Sequence, residues 1–320
     1  MSKVSLAKAL KNFQTAKNGV FVQKPPQIYP PFQHDSFVQK LLKRKIENET
    51  SYKEISNDLN SFSERIVSEI HELGRQNENS TPKLIKYNAW GERIDKLDLH
   101  PAWNKLKSIS AEEGLIAISY ERKHGIHSRL HATTKLAYFH PHSGLFSCPL
   151  AMTDGAASVI ELFGKDLEID DAFAHLTSRK PEYFWTSGQW MTEKRGGSDV
   201  GGGTDTMAIK DPIDPTKAKL HGYKWFASAT DSEMNLTLAR GADDNGDLIN
   251  GTKGLTMYYV KVHEDKEKTK LNNVQILNLK NKLGTNGLPS AELLLEGTEA
   301  TQIGESGKGV KNIANMLHTY

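Results

Sequence analysis

The feature that most constrains this chain is a change of periodicity near Lys180-Pro181. Upstream, Ile55, Leu59, Phe62, Ile66, Ile70 and Leu73 follow one another at steps of four, three, four, four and three, which aligns them on one helix face. That face is expected to lie in a core. Downstream, the pattern breaks into short runs: Tyr183-Phe184-Trp185-Thr186, Lys219 to Phe226, Leu236 to Ala239, Leu255 to Val260 and Ala291 to Leu295. These runs are rich in β-branched and aromatic residues and are bounded by turn clusters such as Asp243-Asp244-Asn245-Gly246, so they read as strands. No helix-length segment separates them, and an antiparallel barrel or sandwich is expected rather than a doubly wound sheet. The expected fold class is α+β, multi-domain: an extension over 1–18, a helical domain over 19–181 and an antiparallel β-barrel domain over 182–303. After Gly304, Gly307 and Gly309 the helical period returns with Val310, Ile313, Ala314, Met316 and Leu317. Residues 304–320 therefore read as the first turns of a further helical domain, cut off at Tyr320 before any C-terminal cap.

Composition excludes several classes. A hydrophobic share of 37% fills ordinary cores, and no apolar stretch approaches the roughly 18 residues of a spanning helix. Lys and Arg number 41 against 39 Asp and Glu, a formal charge of +2 without a clustered basic stripe, which disfavours nucleic acid as a partner. Cys148 is the sole cysteine, so no internal disulfide forms. No acid precedes Asp35, whereas Lys3, Lys8, Lys11, Lys17 and Lys24 all do; this is compatible with a mitochondrial presequence, although Arg is absent and Pro25-Pro26 and Pro30-Pro31 break any long helix. The address is left between mitochondrial and cytoplasmic.

Within the helical half, Thr153-Asp154-Gly155 reads as a turn that starts a helix ending at Gly164. His124, His127 and His131 share one potential helix face, with His140 and His142 nearby, but surface and interdomain histidines are commoner and no metal site is expected. The pairs Glu112-Glu113, Asp170-Asp171 and Asp243-Asp244 read as solvated. Gly304 to Gly309 lacks the Lys-Ser/Thr ending of a phosphate loop and reads as a glycine-rich helix entry.

The densest chemical signal is Gln189-Trp190-Met191-Thr192-Glu193-Lys194-Arg195-Gly196-Gly197-Ser198-Asp199-Val200. Two glycines followed by a hydroxyl let backbone N–H groups approach an anion such as a pyrophosphate, with Lys194 or Arg195 adding charge; a glycine-rich turn with a solvated charge pair is the plainer alternative. Some two dozen residues on, Tyr223-Lys224-Trp225-Phe226-Ala227-Ser228-Ala229 offers an aromatic wall and a hydroxyl for a planar heteroaromatic cofactor, or equally a core strand.

MTEKRGGSDV, then HGYKWFASAT, then KLGTNGLPSAELLLEG resemble, in order, the motifs of the acyl-CoA dehydrogenase family. The Lys-Arg-Gly-Gly filling, the opening Val20-Phe21-Val22-Gln23-Lys24-Pro25-Pro26, His100-Pro101-Ala102-Trp103 and Cys148 to Gly155 resemble its AidB-like branch and animal relatives. The resemblance implies a helical N-terminal domain, a middle barrel and a C-terminal four-helix domain, a homotetramer, and FAD held between the barrel and the C-terminal helices. It implies cofactor contacts from Gln189, Trp190, Met191, Thr192, Gly196, Gly197, Ser198, Trp225, Phe226, Ala227 and Ser228. Thr192 would hydrogen-bond the ring, Ser198 would serve the pyrophosphate and the acyl-CoA, and Trp225 would flank the ring. Ala227 departs from the hydroxyl common at that place, which shifts the contact to Ser228 or to backbone. The implied reaction is α,β-dehydrogenation of a fatty acyl-CoA, with electrons passing to an electron-transferring flavoprotein. No catalytic residue is expected in this chain, because the family's glutamate base falls beyond the position of Tyr320. The alternative carried forward is a non-catalytic fatty acyl-CoA sensor; association with nucleic acid, known for the bacterial branch, is expected least.

Overall fold

The computed structural model describes residues 3–18, 23–165, 167, 169, 171–243, 245–265 and 268–318; the Val20-Phe21-Val22 opening, Asp170 and Asp244 lie outside them, as does Tyr320. The first half is helical: α1 (Lys3–Asn18), α2 (Pro31–His34), α3 (Ser36–Lys45), α4 (Glu49–Arg65), α5 (His71–Glu78), α6 (Pro101–Glu112), α7 (Ala117–Glu121), α8 (His127–Phe139), α9 (Ser147–Phe163) and α10 (Ala172–Leu176). A π-helical turn, Ile66–Ile70, joins α4 to α5. Its extra residue per turn carries one apolar stripe through both helices: Ile55, Leu59, Phe62, Ile66 and Ile70 are all buried, and Leu73 packs against them.

The structure departs from the sequence reading in three places here. An antiparallel hairpin, β1 (Lys83–Tyr87) with β2 (Arg93–Asp98), interrupts the helical half, where the residues gave no strand signal. Thr153-Asp154-Gly155 starts no helix; it lies in the middle of α9 and is buried. The small and polar residues there serve packing: a Cβ on Gly155 would stand 2.9 Å from Cα of Met316 in α12 (Gly309–His318), and the Thr153 hydroxyl accepts the N–H of Ser187 at 3.0 Å. Finally, Tyr183 to Thr186 is not a strand, because after Pro181 the chain turns so that Tyr183 and Trp185 stack on His175.

The second half is a barrel of β3 (Ser187–Trp190), β4 (Met207–Lys210), β5 (Lys217–Ser228), β6 (Met234–Arg240), β7 (Leu255–Lys261), β8 (Val274–Leu279) and β9 (Ser290–Ile303), with a short helix α11 (Val200–Gly203) between β3 and β4. The ring closes through β6, β4, β5, β9, β7 and back to β6, with β8 added on β9. It is mixed rather than strictly antiparallel, which corrects the expectation. β3 and β4 lie one after the other along a single edge of β6, and both run parallel to it, because the chain returns between them through the 191–206 loop instead of a tight hairpin. Trp190, Leu220, Ala227, Tyr258, Leu293 and Leu295 fill the interior.

β5 and β9 carry two register shifts. Leu220 pairs with Thr298 but His221 with Glu296, the extra residue being Gly297 at φ +84°, and Lys224 pairs with Leu293 but Ala227 with Ala291, the extra residue now lying in β5. The second shift lets two consecutive residues, Trp225 and Phe226, face outward (37% and 40% exposed) before Ala227 returns to the interior.

Helical half and barrel are bolted together. Trp103 of α6 donates its indole N–H to Asp231 at 2.7 Å, and Lys107, one turn on, pairs with buried Glu233 just ahead of β6.

Candidate functional site

The segment after β3 is shaped by one buried ion pair. Trp190 points into the barrel, and its carbonyl accepts the Thr237 hydroxyl at 2.6 Å. Met191 and Thr192 then leave the sheet half-buried, and the Thr192 carbonyl accepts the N–H of Trp225 at 2.8 Å. Glu193 turns inward and plugs the gap in the wall between β3 and β4. Its carboxylate accepts from the N–H of Asp205 (2.6 Å), the N–H and hydroxyl of Thr206 (3.1 and 2.5 Å) and the ammonium of Lys224 (2.7 Å). Lys224, fully buried on β5, also donates to the Leu238 carbonyl at 2.9 Å. Burial pushes the Lys224 ammonium below its ordinary value, and the Glu193 carboxylate opposes that shift. Two elements that bear the outer face are thus clamped from within.

The glycines have different reasons to be glycine. Gly196 closes a tight loop with Glu193 (N–H···O of 3.0 and 3.2 Å), and a Cβ there would stand 2.7 Å from the backbone of Gly203. Around Gly197 there is open space to 4 Å. Ser198 follows, exposed, and Asp199 caps α11 by accepting the N–H of Gly202 at 2.8 Å. Among the described residues, the hydroxyls of Thr192 and Ser198 have no hydrogen-bond partner.

On the outer face of β5 the aromatic pair is framed by charge. The Lys280 ammonium lies 3.2 Å from the Trp225 ring centroid and pairs with Glu292 at 2.7 Å, while Lys194 lies 4.3 Å from the ring of Tyr223, whose hydroxyl bonds Glu292. Ser228 contacts Ser290 at 3.0 Å, Oγ to Oγ. Gln189 reaches Met191 (Nε2 to Sδ, 3.0 Å). The structure therefore joins Thr192 to Trp225 through the main chain, with Phe226 next along the strand, packs Met191 against the cluster that links α9 and α12 to β6 and β7, puts Gly197 and Ser198 on the loop beyond, and turns the side chains of Trp190 and Ala227 away into the barrel, leaving them only backbone to offer the outer face.

Other polar clusters escaped the sequence reading. Glu112 and Glu113 are not merely solvated: Arg65 holds both, at 2.6 and 2.8 Å, and buried Lys135 takes Glu113 at 2.8 Å and Asp58 at 2.9 Å. Burial alone would raise the Asp58 carboxyl, but the hydrogen bond from His131 and the Lys135 charge bring it down to about 2. His131 thus faces Asp58, and His127 is the first residue of α8 with His124 ahead of it. Among the described residues no group of three His, Cys, Asp or Glu is placed to hold a metal ion. No local pattern reveals these pairings, because Asp58 on α4 and Lys135 on α8 lie on separate helices.

The sequence profile of the adaptive response protein AidB N-terminal domain matches residues 25–180, and that of the acyl-CoA dehydrogenase middle domain matches residues 188–298. The chain belongs to the acyl-CoA dehydrogenase family. It is similar to "Acyl-CoA dehydrogenase family member 11" of Caenorhabditis elegans, at 46% identity over 310 residues, covering 96% of this chain and 49% of that protein. The crystal structure of C. elegans ACDH-11 in complex with C11-CoA superposes with a TM-score of 0.89 at 46% identity, over 94% of this chain and 51% of that one. "Putative acyl-CoA dehydrogenase AidB" of Escherichia coli is 28% identical over 263 residues, covering 78% of this chain and 45% of the relative. An acyl-CoA dehydrogenase from Bacillus anthracis complexed with FAD shares the fold, with a TM-score of 0.60 at 17% identity over 92% of this chain and 42% of that one. The chain spans about half the length of the curated relatives it matches. No helix among the described residues is long and apolar enough to cross a membrane.

Proposed function

We propose that this chain supplies the barrel side of a flavin site and works in the α,β-dehydrogenation of a fatty acyl-CoA. The observation that carries the reading is the junction of Thr192 with Trp225, where a main-chain bond of 2.8 Å fixes an unpartnered hydroxyl beside an outward aromatic pair. A planar ring needs such a wall with one polar contact at its edge, and a pyrophosphate needs accessible backbone N–H groups and a hydroxyl, which Gly197 and Ser198 present. The residues fit FAD. In the proposed roles Trp225 and Phe226 flank the ring, Thr192 and Ser228 contact its polar edge, Met191 lies along it, Gly196, Gly197 and Ser198 hold the pyrophosphate, Ser198 also reaches the acyl-CoA, and Gln189, Trp190 and Ala227 contribute through backbone or packing. FAD, when bound, supplies the hydride acceptor.

The remaining chemistry belongs to side chains. Removing a proton α to a thioester needs a carboxylate free to accept it. Glu193 is not that base, since four donors already engage it inside the wall. On the family resemblance, the base is proposed to come from outside these 320 residues. The same reading divides the chain into an extension (1–18), a helical domain (19–181), the barrel (182–303) and the opening of a helical domain (304–320), and makes an electron-transferring flavoprotein and further copies of the chain its partners.

The test is the visible absorbance of the purified protein with added FAD. The expected result is flavin that stays with the protein through gel filtration and is lost in Trp225→Ala and Ser198→Ala, with folding unchanged. Protein that takes up no FAD, or variants that bind it undiminished, would overturn the site. For a form that binds FAD and includes the base, anaerobic bleaching by fatty acyl-CoA is expected; failure to bleach with every chain length would refute the enzyme and leave a sensor.

A further inference from the structure

Helix α1 stands apart from every core described above. Val4, Leu6, Leu10 and Phe13 are 79, 52, 54 and 61% exposed, and among the described residues none of them joins a hydrophobic cluster. Leu6, Leu10 and Phe13 fall at i, i+4 and i+7, one above the other on a single face. Lys3 and Lys17 flank that stripe along the helix, Lys8 lies on the opposite side, and no acidic residue occurs before Asp35. An isolated helix of this length is marginal in water unless something covers its apolar face.

We propose that α1 is a surface anchor for an anionic lipid bilayer. Charge complementarity selects the occupant. A stretch of 34 residues with five lysines and no acid matches a surface of lipid phosphates and carboxylates, whereas a nucleic acid would leave Leu6, Leu10 and Phe13 in water. Geometry sets the mode. Sixteen residues make a helix of about 24 Å, shorter than the roughly 30 Å hydrocarbon layer, so α1 lies in the interface with its stripe down and the Lys3 and Lys17 ammonium groups extended to the headgroups.

The experiment is co-sedimentation of the purified chain with phosphatidylcholine vesicles, with and without about 30% phosphatidylserine. Binding is expected only to the anionic vesicles, is lost at about 0.5 M salt, falls about fivefold for each of Lys3→Gln and Lys17→Gln, and changes little for Lys8→Gln on the far side of the helix. Leu6→Gln/Leu10→Gln/Phe13→Gln should abolish it with the melting temperature unchanged, since these side chains are already exposed. The proposal is overturned if the chain stays in the supernatant with anionic vesicles, if it binds both vesicle types equally, or if the triple variant still binds. It is also overturned if mitochondrial extract removes the helix while vesicles do not retain it, because the helix would then be read by a protein.

Discussion

Replacing Lys224 by methionine removes an ammonium while nearly preserving side-chain volume, and so isolates the ion pair behind the outer face of the site. The Glu193 carboxylate stays buried and loses its counter-charge at 2.7 Å, and the Leu238 carbonyl loses its donor at 2.9 Å. Breaking a fully buried pair from one side costs about 3–5 kcal/mol, because the remaining charge has neither water nor a partner. At roughly 2–4 °C per kcal/mol for a unit of this size, the melting temperature should fall by about 10 °C. Adding Glu193→Gln removes the stranded charge while keeping an acceptor for the Asp205 and Thr206 N–H groups, so the double variant should recover most of the loss, giving a coupling of about 2 kcal/mol or more. The exposed Arg195 and Asp205 pair at 3.3 Å is the control: Arg195→Gln should change stability by less than about 0.5 kcal/mol. Thermal unfolding of the parent, Lys224→Met, Glu193→Gln, the double variant and the Arg195→Gln control decides the matter. A Lys224→Met protein within about 2 °C of the parent, or a double variant no better than the single, refutes the clamp.

Stability should fall in acid through Glu233, whose carboxyl burial alone would raise but which the Lys107 and Lys268 charges bring to about 2. Its folded value lies below the unfolded one, so its contribution is complete above the ordinary carboxylate range and disappears as pH drops toward 2; Glu233→Gln should flatten that part of a pH series of melting temperatures. Gly196→Ala forces a Cβ to 2.7 Å from the Gly203 backbone and should destabilise the barrel by a few kcal/mol, whereas Gly197→Ala, with open space around it, should cost less than about 1 kcal/mol; a matched pair of denaturant titrations checks both. Gly155→Ala should loosen α12 from α9, read as faster hydrogen exchange over Gly309–His318.

Where one element decides its own conformation, the sequence was readable. The α4 and α5 stripe and the strands at 219–226, 236–239, 255–260 and 291–295 follow from local periodicity and appear where that periodicity places them. Local pattern failed where a distant neighbour sets the residue. Gly155 is small because Met316 crosses it, Tyr183 and Trp185 are aromatic because His175 stacks on them, and β3 pairs parallel because of the loop that follows it. The segment 189–200 is legible as a motif, whereas the proximity of Thr192 to Trp225 and the pairing of Glu193 with Lys224 follow only from the fold.

The two register shifts between β5 and β9 cancel. Gly297 adds a residue to β9 and the Trp225 and Phe226 stretch adds one to β5, so pairing at the Ser228 end has the same offset as at the Lys217 end. Between them, β9 is held one step out of phase while β5 alternates without a break, so Ala218, Leu220 and Lys224 all face inward and Lys224 meets Glu193. Insertions and deletions in this strand pair are therefore constrained together: losing Gly297 alone would invert the inside and outside of half a strand, while losing it together with Phe226 would restore a continuous ladder with a single aromatic outside. The count of residues along two strands, more than the identity of any one of them, keeps two rings on the surface.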